Sequence, residues 1–233
     1  MLDTFVSFLS ILACHAHLGF YLSQFRLDTA SIILYTNNCI PNNFLEFTIR
    51  RIYEITLPYP IRDCLAALII MAYIPIIPLP LVPITIQNLG IMLTGALLGG
   101  RKGFVTVALL LLLAMIGLPV LTGGSGGFAH FFGATAGYLW AYPIAAGLIG
   151  FSVAKLKQLN RLNFWTVLVV ILVFGVLFID SLGAIGLTLV TKMPLSQSLV
   201  LQLTYLPGDV IKALVASTIT VALQSRFGKY LNA

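Results

Sequence analysis

The strongest constraint in this sequence is a long interval without negative charge. No Asp or Glu occurs between Asp63 and Asp180, a stretch of more than a hundred residues. A charged side chain at the bilayer centre costs about 2.5–3.5 kcal/mol on insertion scales, so acid-free apolar sequence is typical of membrane-embedded helices. In the whole chain 59% of residues are hydrophobic and 9% are charged, whereas about a quarter are charged in soluble domains. The sequence therefore predicts an all-α integral membrane protein.

Six apolar runs are long enough to cross or nearly cross a bilayer, which takes about 20 helical residues. They predict six transmembrane helices at roughly 62–77, 84–100, 103–118, 133–153, 164–190 and 205–224. Prolines and glycines separate the runs, in a Pro-rich turn at 78–83 and a Gly-rich loop at 118–132. Pro194 and Pro207 flank the link between the fifth and sixth runs, so we expect a break in the helix at each of them.

Basic residues fall in short clusters between the apolar runs. Ten of them lie on one side of a six-helix fold: Arg50, Arg51, Arg62, Arg101, Lys102, Lys155, Lys157, Arg161, Arg226 and Lys229. Only Lys192 falls on the opposite side. The positive-inside rule therefore predicts that both ends of the six-helix body are cytoplasmic, with the Gly-rich loop and segment 191–204 facing outward. Clusters of this kind indicate topology, so we expect no nucleic-acid partner.

The first sixty residues differ from the rest, because an apolar run at about 5–22 precedes a polar stretch. They are an additional helix, an interfacial anchor, a signal-like segment, or the product of a start codon assigned too far upstream. We therefore divide the chain into an N-terminal extension of open role at 1–60, a six-helix membrane domain at 61–225 and a cytoplasmic tail at 226–233.

No catalytic, metal or cofactor site is expected. Cys14, His15 and His17 have no second cluster of ligands that would close a metal shell. Ser125 and His130 stand only five residues apart in one loop, whereas an intramembrane serine hydrolase needs a histidine base from another helix. We keep such a hydrolase only as a contrasting hypothesis.

Two residues of opposite charge stand three positions apart in the last apolar run. At this spacing a helix brings Asp209 and Lys212 onto one face. They form either a structural ion pair or a ligand site, because a carboxylate accepts N–H hydrogen bonds and an ammonium donates to a carbonyl. A ureido ring presents both groups on one edge. Since intramembrane ionisable residues mark functional sites by default, we interpret the pair as a site near the outward end of helix six. Asp180, in the fifth run, either pairs with a basic group or faces the same cavity.

Two motifs on the outward side have both structural and functional interpretations. Thr85 and Gln87 follow Pro83 at a helix start, which is either an ordinary start or a source of polar atoms for the cavity. Glycines in the loop at 123–127 let backbone N–H groups approach an anion. No Gly-Lys-Ser/Thr follows them, so the loop is not a P-loop. It is either a simple loop or a flexible lid or anion cradle.

Five motifs occur together in order. They are Pro-Leu-Val-Pro-Ile-Thr-Ile-Gln at 80–87, Gly-Leu-Pro-Val at 117–120, Gly-Gly-Ser-Gly-Gly-Phe at 123–128, the run from Gly133 to Tyr138, and Leu-Pro-Gly-Asp-Val-Ile-Lys at 206–212. Over about residues 61–225 the chain resembles the BioY family, the biotin-specific substrate-binding (S) subunits of energy-coupling-factor transporters.

This resemblance implies a cell-membrane protein that captures biotin from outside and works with a transmembrane coupling subunit and ABC-type ATPases. The Asp and Lys that contact the ureido group in the family correspond to Asp209 and Lys212. Residues of the Gly-rich loop and its neighbours are expected to line or cover the site. The expected substrate-binding residues are Gln87, Gly126, Gly127, Thr135, Tyr138, Asp209 and Lys212.

The chain departs from the family pattern at three places. Leu-Pro-Leu-Val-Pro at 79–83 replaces the usual Thr-Pro-Val-Pro. Gly-Ala-Thr-Ala-Gly-Tyr at 133–138 replaces the usual Gly-Pro-Thr-Gly-Gly-Tyr. On helix one, Ala66, Ala67 and Ala72 miss the Ala-x-x-x-Ala spacing that is expected to contact the coupling subunit. The departure on helix one keeps open a solitary biotin transporter without ATPases. An S subunit for a different vitamin is a further alternative.

Overall fold

The computed structural model describes residues 57–73 and 85–231. The predicted turn at 78–83 and the predicted extension at 1–60, apart from residues 57–60, lie outside the described residues, and so do Cys14, His15 and His17. Six long helices and one short 3₁₀ helix occur in the described part of the chain. They are α1 (Tyr59–Ala72), α2 (Gln87–Leu98), α3 (Gly100–Met115), the 3₁₀ helix (Phe128–Phe132), α4 (Ala136–Gln158), α5 (Phe164–Thr191) and α6 (Leu195–Leu231).

The helical membrane fold that the sequence predicts is confirmed over these residues. Three helices are long and apolar enough to cross a bilayer: Ala136–Gln158, Phe164–Thr191 and the Leu195–Gln224 part of α6. Large apolar side chains such as Trp165 and Leu189 are exposed on the outside of the bundle. An apolar exterior of this extent is suited to lipid rather than to water.

Helix α4 packs against α2, α3 and α5, so it forms the middle of the bundle. Helix α4 lies close to its neighbours because glycines occupy the contact surfaces on both sides. A Cβ on Gly95 of α2 would lie 2.9 Å from the Ala146 Cα, and a Cβ on Gly150 of α4 would collide with the backbone of Gly99. Small residues let membrane helices approach to backbone contact. Gly99 has φ +81° and alone separates α2 from α3.

The Gly-rich loop is folded against three helices. Leu121 and Ser125 form an antiparallel bridge, with N–H···O distances of 2.9 and 3.2 Å. The Gly123 N–H donates to the Ala72 carbonyl of α1 at 2.8 Å, and the Gly127 N–H donates to the Ala114 carbonyl of α3 at 2.7 Å. These hydrogen bonds favour an ordered loop, because its own backbone groups bind the helix ends, and the interpretation as a lid or anion cradle stays a hypothesis. We call the end of the bundle that carries this loop the loop end.

At the opposite end of the bundle, which we call the basic end, hydrogen bonds of Gln224 join α6 to α2 and α4. The Gln224 amide donates to the Ala96 carbonyl at 3.2 Å and accepts from the Lys157 ammonium at 3.2 Å. Arg101 and Lys102 begin α3 at this end, and Lys155 belongs to the last turn of α4. These clustered cations therefore share one end of the bundle.

The predicted break at Pro207 is wrong, because α6 is continuous from Leu195 to Leu231 with Pro207 inside it. A proline inside a helix removes one hydrogen bond, and membrane helices tolerate this when neighbouring helices support them. Pro207 is exposed whereas Tyr205 and Asp209 are buried, so the helix is held through its opposite face. Asp209 therefore lies about four turns into α6 rather than near the start of the helix.

Candidate functional site

A cavity of about 220 Å³ opens between α2, α4, α5, α6 and the Gly-rich loop. Its wall combines charged groups from α5 and α6 with aromatic residues from α4 and α6. Asp180, Asp209 and Lys212 supply the charges. Buried, concave and mostly apolar sites with a few converging polar groups are typical of small-molecule binding.

The two charged residues of α6 form an ion pair in this cavity. The Lys212 Nζ lies 2.8 Å from the Asp209 Oδ1, and their side chains are only 14% and 7% exposed. The i,i+3 spacing therefore brings them onto one face, as predicted. The Asn88 amide of α2 also donates to Asp209 Oδ1, at 3.4 Å. Removing two charges from water is costly, so this pair needs its hydrogen bonds. An ammonium has three N–H donors, and a carbonyl acceptor is a suitable partner for those that Asp209 does not use.

Gln87 lines the cavity, and its side chain also holds the loop. Its Nε2 donates to the Val120 carbonyl at 2.8 Å and to the Leu68 carbonyl at 3.4 Å, while its Oε1 accepts from the Thr122 hydroxyl at 3.0 Å. Both polar atoms of this 4% exposed residue thus have protein partners. Gln87 positions the loop that forms one wall of the cavity.

Thr135 and Tyr138 also line the cavity, at the start of α4. The Thr135 carbonyl accepts from the Tyr138 N–H at 3.1 Å, which begins the helix. The Tyr138 hydroxyl donates to the Gln202 Oε1 at 2.8 Å and so joins α4 to α6. The ring of Tyr138 is therefore fixed in the wall, with its hydroxyl proton already used.

Gly126 and Gly127 do not line the cavity among the described residues. Their position explains their type, because a Cβ on Gly126 would collide with the Leu118 carbonyl and Gly127 has φ +107°. Positive φ favours glycine. The structure therefore gives these two residues a part in the shape of the loop.

Ten of the described residues line the cavity without belonging to the set of expected binding residues. They are Thr85, Asn88, Leu121, Thr122, Ser125, His130, Leu139, Tyr142, Asp180 and Tyr205. Tyr142 follows Tyr138 by four residues, which brings both rings to one face of α4. Asn88 directly follows Gln87 at the start of the second apolar run, and this pair of amides in an apolar segment is a signal that could have indicated it. Of the two alternatives for Asp180, the structure supports the one in which it faces the cavity.

Ser125 has no contact that indicates a nucleophile. Its hydroxyl donates to the Thr122 carbonyl at 3.0 Å, whereas an activated serine needs a base as its partner. This hydrogen bond closes the turn of the loop.

Comparison with known proteins gives consistent results. The chain is 44% identical over 165 residues to the "Biotin transporter BioY" of Lactococcus lactis subsp. cremoris (strain MG1363), covering 70% of this chain and 87% of that protein. It is 38% identical over 139 residues to the "Probable biotin transporter BioY" of Bacillus subtilis (strain 168), covering 60% and 73% respectively.

A solved structure has the same fold. A 2.1 Å crystal structure of the S-component for biotin from an ECF-type ABC transporter matches with a TM-score of 0.70 and 38% identity, covering 83% of this chain and all of that one. Residues 61–229 match the BioY family. This chain therefore belongs to the BioY family.

Proposed function

We propose that this chain takes up biotin across the cytoplasmic membrane as the substrate-binding subunit of an energy-coupling-factor transporter. The observation that carries the proposal is the buried Asp209–Lys212 pair inside a cavity, in a chain 38% identical to an S-component for biotin. The named relatives are transporters, and binding followed by transport, without catalysis, is the activity that we assign.

The ureido edge of biotin contacts Asp209 and Lys212 in this proposal. One ring N–H donates to the Asp209 carboxylate, and the Lys212 ammonium donates to the ureido carbonyl. Hydrogen bonds to charged groups contribute about 1.5–3 kcal/mol each. Such bonds keep this strength only where water is excluded, and the low exposure of both side chains supports that condition.

The apolar part of the ligand packs on the aromatic wall. Tyr138, Tyr142 and Tyr205 line the cavity together with Leu139 and Leu121. Burial of apolar surface contributes roughly 25 cal/mol per Å². These rings therefore account for the affinity of the bicyclic ring system, while the charged pair determines its orientation.

The carboxylate tail of biotin extends toward the loop end. His130 and Thr135 line that part of the cavity wall and carry an imidazole and a hydroxyl group that donate hydrogen bonds. The hydroxyl protons of Thr122 and Ser125 are already donated to Gln87 and to the Thr122 carbonyl. Gln87 holds the loop in position, and Gly126 and Gly127 allow its tight turn. These residues complete the proposed site. Gln87, Gly126 and Gly127 contribute by fixing the position and shape of the loop.

The proposed topology has six membrane crossings with both ends of the six-helix body in the cytoplasm. The basic end of the bundle carries Arg101, Lys102, Lys155 and Lys157, and an excess of Lys and Arg is typical of cytoplasmic ends. The ligand cavity then opens on the outer side. Residues 61–225 form the biotin-binding domain, and 226–233 belong to a cytoplasmic end whose helix continues to Leu231.

The proposed partners are a transmembrane coupling subunit and a pair of ABC-type ATPases. The sequence has no Gly-x-x-x-x-Gly-Lys-Ser/Thr motif of its own, so the energy for uptake comes from elsewhere. Ala66 and Ala72 are 3% and 0% exposed, respectively, so they pack inside this chain. We therefore assign the contact with the coupling subunit to other residues. Copurification of ATPase activity with the tagged chain separates this proposal from a solitary transporter.

Equilibrium binding of labelled biotin to the purified chain in detergent tests the proposal. Biotin should bind tightly to the wild type, and Asp209→Asn and Lys212→Met should each weaken binding at least tenfold. Asp63→Asn and Lys192→Met make the same chemical changes outside the cavity and serve as controls. Desthiobiotin should compete, because it keeps the ureido ring, whereas thiamine should not. A folded wild type that binds thiamine but not biotin would establish the different-vitamin alternative.

A further inference from the structure

A second carboxylate in the ligand cavity has no function in the proposal above. Asp180 of α5 lines the same cavity as Asp209 and Lys212 and is only 8% exposed. Its Oδ2 atom is buried and has no hydrogen-bond partner among the described residues. A buried carboxylate oxygen without a donor is costly, so such a group calls for an explanation.

The local backbone explains how Asp180 reaches the cavity. Residues Leu172–Leu177 form a π-helical segment within α5, and regular α-helix resumes at Phe178. A π segment changes the face on which the following residues lie, and such segments are frequent at functional sites. Gly175 allows this one to pack tightly, since a Cβ there would lie 3.0 Å from Met92. Asp180 follows within one turn and lies on the inward face beside Ile179.

The acidic groups of the cavity wall outnumber the donors that the described wall residues offer them. Asp180 and Asp209 are two carboxylates, and Lys212 is the single ammonium among the described lining residues. Lys212 is paired with Asp209. The hydroxyl proton of Tyr138, which lines the same cavity, goes to Gln202. An occupant that brings its own N–H donor would give Asp180 the hydrogen bond that the described residues do not.

The chemistry of a cyclic urea matches this set of groups. A ureido ring carries two N–H donors and one carbonyl acceptor, whereas the cavity offers two carboxylates and one ammonium. We propose that Asp180 is a specificity-determining residue that accepts the second ureido N–H, while Asp209 accepts the first and Lys212 donates to the carbonyl. This inference rests on the proposed function, since it assumes that the ureido edge lies at this end of the ligand.

The proposal gives Asp180 a recognition role that a merely structural residue would not have. A ligand whose second ureido N–H is blocked leaves the Asp180 carboxylate without its donor, and the site rejects it. Rejection of analogues that lack a required hydrogen bond is strong when the partner group is buried.

A ligand-and-residue cycle tests this inference. Wild type, Asp180→Asn and Asp180→Ala are titrated with biotin and with the two biotin analogues that carry a methyl group on one or the other ureido nitrogen. Asp63→Asn is the matched acid-to-amide control. Loss of a hydrogen bond to a charged group predicts at least tenfold weaker biotin binding in Asp180→Ala. Both methylated analogues should bind weakly to the wild type, because each has lost one N–H donor. Only the analogue whose methyl group faces Asp180 should lose little more in the Asp180 variants.

Thermal unfolding of the ligand-free proteins is the second readout. Among the described residues Asp180 Oδ2 has no donor to lose, so Asp180→Asn should unfold at or above the wild-type temperature while its stabilisation by biotin falls. Wild-type biotin affinity in both variants, or equal losses for biotin and both analogues, overturns the inference and leaves the proposed function intact. Failure of the folded wild type to bind biotin overturns both.

Discussion

Replacement of Gln87 by Glu is the most informative test of how the loop is held. The change keeps the shape of the side chain but removes the Nε2 donor, which binds the Val120 and Leu68 carbonyls at 2.8 and 3.4 Å. It also brings a carboxylate toward two carbonyl oxygens at a site that is 4% exposed. Only the hydrogen bond from the Thr122 hydroxyl is kept, because its acceptor is the Oε1 atom, which glutamine and glutamate both have.

The expected loss of stability follows from these contacts. Two lost hydrogen bonds contribute roughly 1 kcal/mol each, and the acceptors left without a donor add to this. We therefore expect a total of about 2–4 kcal/mol. For a chain of 150–250 residues each kcal/mol lowers the unfolding temperature by about 2–4 °C, so the expected shift is roughly 4–16 °C. Biotin affinity should fall as well, because the loop forms one wall of the cavity.

Thermal unfolding in detergent and hydrogen exchange measure the two consequences. Gln197→Glu is the control, since Gln197 is exposed in the first turn of α6. Faster exchange should appear at the amides of Leu121 and Gly127, which hold the loop. If Gln87→Glu unfolds within a degree or two of the control and exchanges at the wild-type rate, the loop does not depend on Gln87 and the reasoning is wrong.

Three further changes test other parts of the bundle. Gly150→Ala should lower stability by about 1–3 kcal/mol through overpacking, whereas Gly147→Ala, where the nearest atom is 3.6 Å from the new Cβ, should be nearly neutral in thermal unfolding. Lys212→Met should lower the free energy of unfolding by about 3–5 kcal/mol because it leaves the buried Asp209 charge unpaired. Adding Asp209→Asn to this variant should restore the unfolding temperature but not biotin binding. An unfolding temperature that does not recover would contradict the ion-pair assignment. Gln224→Leu should lower stability by about 1–3 kcal/mol through lost hydrogen bonds. Biotin affinity, measured in the same titration, should stay unchanged because Gln224 lies at the basic end. A large loss of affinity would contradict this and show that the basic end and the cavity are coupled.

Much of the fold could be predicted from local sequence. The apolar runs predict the helices because a bilayer requires long apolar segments, and the i,i+3 spacing predicts that Asp209 and Lys212 share a face. Pro207 was misleading, because the propensity of proline to end helices is a local effect, and packing on the opposite face of α6 outweighs it.

The hydrogen-bond partners in the site could not be predicted from sequence. Gln87 binds Val120 across 33 positions and Asn88 binds Asp209 across 121, and no sequence spacing reports contacts of that range. The orientation of Asp180 depends on a π segment, which changes the helical register without a proline or other strong marker. Tertiary packing determines these features, so they became visible only in the structure.

Helix α6 has a mechanical consequence for the whole molecule. Between Asp209 and Gln224 it contains neither glycine nor proline, so these two residues belong to one stiff rod about 22 Å apart along its axis. One end of that rod carries the ion pair in the cavity, and the other end is bound to the carbonyls of α2. A torque applied to α6 at the basic end is therefore transmitted to Asp209 and Lys212 without an intervening hinge, and a turn of the rod moves both charges together.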